Sequence, residues 1–87
     1  MSLDRIFFVD DEEHLRIAGH QTFELADIDV ACFETAQAAL KQITPDFDGV
    51  LVTDIRMPGM DGVELMQKAL EIDPELPVVL VTGHGDV

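Results

Sequence analysis

Two short apolar runs in this chain end abruptly on aspartate. Ile6-Phe7-Phe8-Val9 leads into Asp10-Asp11, and Val50-Leu51-Val52-Thr53 leads into Asp54. A third run, Val78-Val79-Leu80-Val81, leads into Thr82. Apolar residues at consecutive positions suit a strand covered on both faces, as parallel strands are. Longer helical periods separate the runs, so the chain reads as β-α units around a parallel sheet. If the first two runs are neighbouring parallel strands, their C-terminal ends share one edge of the sheet. Three carboxylates then meet in one crevice. Like charges at that range repel, so the cluster calls for a divalent cation or for protons.

The expected elements follow in order. The first strand spans about Arg5–Val9, and a helix spans about Glu12–Ala26, with Leu15, Ala18, Thr22, Leu25 and Ala26 on its inner face. Asp11, Glu12 and Glu13 suit that helix start, where carboxylates favour the dipole. A second strand covers about Asp29–Phe33, and Thr35 is placed to cap a short helix over Ala36–Ile43. Thr44-Pro45-Asp46 ends it. The third strand is Gly49–Thr53. A loop from Asp54 to Gly62 leads to a third helix, about Gly62–Ile72, with Asp61 and Glu64 at capping-box spacing. Pro74 closes that helix, and Pro77–Thr82 forms a fourth strand buried on both faces. No later segment covers that strand's outer edge, so the chain is expected to stop before the domain does. An exposed apolar edge invites pairing, and self-association through the fourth strand is expected.

Composition narrows the function classes. At 87 residues the chain is one small domain. With 18 acidic residues against 5 basic, net −13, it lacks the Lys and Arg that nucleic acid requires, and anionic membranes are disfavoured too. No apolar stretch reaches transmembrane length and no signal-peptide core appears, so the expected setting is cytoplasmic. The lone Cys32 reads as a small strand residue. His14, His20 and His84 lack metal-ligand spacing, and Met57, Met60 and Met66 read as packing.

Parallel α/β sheets bind ligands beyond the carboxyl ends of their strands. Asp10, Asp11, Asp54 and Thr82 stand there. A carboxylate can act as a nucleophile and form an acyl phosphate, and Mg²⁺ takes hard oxygen ligands. Three motifs now carry a resemblance: Phe7-Phe8-Val9-Asp10-Asp11-Glu12; Thr53-Asp54-Ile55-Arg56-Met57-Pro58-Gly59-Met60-Asp61-Gly62; and Val79-Leu80-Val81-Thr82-Gly83-His84-Gly85. Together, in this order, they resemble the receiver domain of two-component response regulators. The run Thr82-Gly83-His84-Gly85-Asp86 is more particularly similar to receivers of the nitrogen-regulatory and C4-dicarboxylate-transport activators.

The resemblance implies a flavodoxin-like, doubly wound α/β sheet of strand order 2-1-3-4, with the family's fifth strand absent. Residues 1–87 would then be one receiver domain, incomplete at its C-terminus. It implies that Asp54 accepts a phosphoryl group from a sensor histidine kinase and that Asp11 ligates Mg²⁺, with Asp10 as acidic partner. It further implies that Arg56 ligates the metal through its backbone carbonyl and that Thr82 is the switch hydroxyl. An output domain elsewhere in the parent chain, governing transcription, would read the state. The family's lysine after a fifth strand has no counterpart here, since Lys41 and Lys68 fall in helices. Two rivals remain at this point. A Mg²⁺-dependent aspartyl-nucleophile phosphatase would want a carboxylate two residues after Asp54, where Arg56 stands. A receiver-like docking module would not be controlled by phosphate at all.

Overall fold

A computed structural model describes residues 5–82. His84 and the rest of residues 83–87 lie outside the described residues, as do residues 1–4. The elements run β1 (Arg5–Val9), α1 (Glu13–Leu25), β2 (Asp29–Phe33), α2 (Ala36–Gln42), β3 (Val50–Asp54), α3 (Gly62–Ile72) and β4 (Val78–Val81). The strands form one parallel sheet in the order β2-β1-β3-β4, as expected. The chain therefore winds outward from β1 to β2, then returns past β1 to β3. That reversal opens a crevice between the carboxyl ends of β1 and β3.

Strand parity divides the side chains between two faces. Register pairs Phe7 with Leu51 and Val9 with Thr53, and pairs Leu51 with Val78. These residues point toward α2 and α3, where Val9, Leu51, Leu65, Ala69, Ala36, Ala39, Ile43 and Leu76 form the buried core. Phe7 stacks on Phe47 with ring centroids 4.1 Å apart and meets Phe33 edge-on at 5.0 Å. The other face carries Phe8, Val52 and Val79, which also pair in register. Phe8 meets Phe23 of α1 edge-on at 6.1 Å, and its ring lies against Gly19.

Local signals account for the helix starts. Thr35 accepts a hydrogen bond from the Ala38 amide (3.1 Å), and Asp61 accepts one from Glu64 (2.8 Å), so both expected caps form. Each such cap contributes about 1 kcal/mol. The α1 start differs, since its N-cap Glu12 makes no side-chain cap. No helix among the described residues is long and apolar enough to cross a membrane.

Two expectations about burial are corrected. Ala18, Thr22 and Ala26 are exposed and Leu25 is 90% exposed, so four of the five residues assigned to the inner face of α1 do not lie there. The covered stripe is Leu15, Arg16, Gly19, His20 and Phe23. The helix is turned by about one residue, or about 100°, because Gly19 rather than a larger apolar residue provides the surface on which Phe8 packs. The fourth strand is also not buried on both faces. Val79 and Val81 remain 49% and 38% exposed, because among the described residues only the Val78–Leu80 side meets a helix, α3. Boundaries elsewhere agree within a residue, and β3 runs on to include Asp54 itself.

Candidate functional site

The site begins where β1 ends. The Asp10 amide donates to the Phe33 carbonyl (3.1 Å), carrying the ladder one residue past the last paired position of β2. Asp10 Oδ1 accepts from the Glu12 amide at 3.0 Å, an Asx-turn that swings the chain from strand into helix. This turn leaves Asp11 at its apex. Asp54 ends β3, and Val9 pairs with Thr53, so Asp10 and Asp54 are adjacent strand ends. Asp54 is 2% exposed and Asp10 6% exposed. One carboxylate oxygen from each of Asp10, Asp11 and Asp54 lies within 4.8 Å of the others.

Burial and charge together set what this cluster can do. Unit charges that close repel by about 3 kcal/mol per pair at an effective dielectric of about 20. Gathering the three carboxylates therefore costs free energy that a bound cation or proton would offset. Asp11 Oδ1 is also buried without a hydrogen-bond partner. A buried carboxylate oxygen in that state costs free energy unless something binds it. The donors are all hard oxygens, with no His or Cys in the cluster, which suits a hard divalent cation rather than zinc or copper. The acidic triad thus fits a divalent cation.

The strand and loop after Asp54 hold its backbone. The Thr53 hydroxyl donates to the Asp54 carbonyl (3.0 Å), and the Ile55 amide donates to Val81 of β4 (3.1 Å). The Gly62 amide donates to the Ile55 carbonyl (2.9 Å). A Cβ at Gly62 would collide with the Asp54 carbonyl oxygen, so only glycine lets the start of α3 come this close. The Arg56 amide lies 3.4 Å from Asp54 Oδ1, placing the Arg56 backbone beside the cluster while its side chain is exposed. Thr82 follows Val81, the register partner of Asp54, at the same edge, and is exposed.

The other sequence candidates fall elsewhere. His14 faces Glu12 (3.2 Å) and His20 faces Glu24 (3.7 Å), both on α1 and neither in the acid cluster. Cys32 is half-buried, and its Sγ lies 3.8 Å from the Arg16 carbonyl oxygen. Burial pushes its thiol up, and the nearby Arg16 guanidinium pulls it part of the way back. Arg16, absent from the residues singled out by motif, has its Nη1 donating to the Asp10 carbonyl at 2.9 Å. The available signal was an arginine one turn beyond Glu12, within reach of the strand end.

Comparison with known proteins gives a consistent picture. The family model of the response regulator receiver domain matches residues 6–87. The C4-dicarboxylate transport transcriptional regulatory protein DctD of Rhizobium meliloti is 51% identical over 82 residues, which is 94% of this chain but 18% of that protein. The solved structure of the response regulator StyR superposes with a TM-score of 0.86 at 35% identity, covering 99% of this chain and 43% of that one. A CheY-like receiver domain protein from Methanospirillum hungatei gives a TM-score of 0.86 at 32% identity, covering 99% of this chain and 69% of that one.

Proposed function

This chain belongs to the response regulator receiver family, and on that footing we propose that Asp54 is the residue that takes the phosphoryl group. A receiver of a two-component system acts on its own phosphoryl group rather than turning over free substrates. The single observation that supports Asp54 is its place: a buried carboxylate at the end of a central strand, in reach of two others. Its backbone is fixed by β1 on one side and β4 on the other, so the sheet sets its position.

In the proposed reaction an Asp54 carboxylate oxygen attacks the phosphorus of a phosphohistidine on a sensor histidine kinase. The P–N bond breaks, the P–O bond of an acyl phosphate forms, and the imidazole leaves with a proton from solvent. Asp10, Asp11, Asp54 and the Arg56 carbonyl would hold Mg²⁺, which when bound offsets the charge of the phosphoryl oxygens. The Thr82 hydroxyl donates to a phosphoryl oxygen. The added dianion biases the Thr82 segment toward the site, which is the switch.

The similarity to DctD, a transcriptional regulatory protein, supports a longer parent chain whose output domain acts on transcription in the cytoplasm. The test is intact mass after incubation with acetyl phosphate and Mg²⁺, with Asp54→Asn alongside. The expected result is one added phosphoryl group on the wild type and none on the variant. Stoichiometric addition to Asp54→Asn would remove Asp54 from the role.

A further inference from the structure

We infer that Arg16 is a positioning residue for the cation-binding carboxylates, locking the Asp10–Glu12 turn through the backbone carbonyl of Asp10. This rests on the reading of the acid cluster as a cation site.

Asp10 is 6% exposed, so its peptide groups need partners inside the protein. Its amide is bound by Phe33 and its Oδ1 by the Glu12 amide. Its carbonyl is bound by Arg16 Nη1 at 2.9 Å. Arg16 itself is rooted one turn into α1, where its amide donates to the Glu12 carbonyl (3.1 Å). The side chain therefore closes a ring from strand end, through the turn, into the helix and back. Asp11 sits inside that ring, with its orphaned Oδ1. The chain carries only five basic residues, and Arg5, Lys41, Arg56 and Lys68 are exposed. Arg16 is the one held partly inside the structure, against the Asp10 carbonyl.

Charge and position make opposite predictions here. By charge alone, removing a cation from the turn that carries Asp10 and Asp11 tightens binding of a divalent cation. By position, loosening the turn that presents Asp10 and Asp11 weakens it. Partners that orient ligand residues typically account for about 10- to 100-fold in metal affinity. The inference takes the second side.

The experiment is calorimetric titration of Mg²⁺ into the wild type, Arg16→Met, Arg16→Lys and Arg5→Met, with circular dichroism on each. Arg16→Met keeps the apolar stem and removes the donor. It should bind Mg²⁺ about tenfold more weakly. Arg16→Lys keeps a donor but not the planar fork, and should fall between the two. Its intermediate affinity carries the test if Arg16→Met does not fold. Arg5→Met makes the same change in net charge at an exposed ion pair with Asp29, and should match the wild type. Unchanged or tighter binding by Arg16→Met, or equal weakening by Arg5→Met, overturns the positioning role. A wild type that binds no Mg²⁺ overturns the cation-site reading and this inference with it.

Discussion

The two faces of the sheet are built differently. The face under α2 and α3 is closed by large side chains: Leu51 and Leu65 are fully buried, and Phe7, Phe33 and Phe47 interlock beside them. The face under α1 carries one aromatic pair among the described residues, Phe8 with Phe23, made over a glycine. The helix α1 has no fully covered residue, and Val79 and Val81 stay partly in water. The acid cluster belongs to both. Asp54 is fixed from the packed side by Gly62 and Thr53, whereas Asp10 and Asp11 are presented by a turn that α1 holds through Arg16. The nucleophile candidate thus stands on the densely packed half and its partners on the lightly packed half.

Substitutions can break this comparison. The largest effect is expected at Leu51, where Leu51→Ala should cost about 2–5 kcal/mol in urea unfolding. Val79→Thr, on the other face, should stay within about 0.5 kcal/mol. Similar losses for the two would mean that the faces are equivalent. The paired glycines sharpen the point. Gly62→Ala sets a methyl against the Asp54 backbone, which yields less readily than a side chain, and should cost about 1–3 kcal/mol while displacing Asp54. For Gly19→Ala the nearest atoms belong to the Phe8 ring, 2.7 Å away, and the ring can shift. Its helix propensity gain of about 0.5–1 kcal/mol offsets much of that strain, leaving a net change within about 1 kcal/mol.

The smallest effect concerns Cys32, under α1. Its thiol titrates above its ordinary range because of burial. A raised folded value means that its contribution to stability is present below the ordinary thiol range and is lost as pH rises through the folded one. At pH 8, iodoacetamide should alkylate native Cys32 more slowly than the urea-unfolded chain. Arg16→Met should slow it further, since the guanidinium favours the thiolate. Equal rates in the two states would show that the lightly packed face does not shelter the thiol.

The legible part of this molecule was the part written in side chains along one strand or cap. The apolar runs announced the strands, their terminal aspartates announced the cluster, and Thr35 and Asp61 announced two helix starts. What was not legible depends on backbone or on distant neighbours. Arg16 acts on a carbonyl, which no residue letter encodes. Gly62 matters for the methyl it lacks against Asp54, a contact set by tertiary packing. The phase of α1 is hidden in the sequence because Leu25 and Ala26 look like core residues, while the surface that packs is Gly19. The run Val78–Val81 looked two-sided because apolarity records what a strand tolerates, not what covers it.

The most direct measurement is the location of the phosphoryl group. Protein phosphorylated with acetyl phosphate and Mg²⁺ is reduced with borohydride, which converts an aspartyl phosphate to homoserine, and is then mapped by peptide mass spectrometry. The account predicts homoserine at position 54 and aspartate retained at positions 10 and 11. Homoserine at 10 or 11, or phosphate carried on a histidine with position 54 intact, would contradict it.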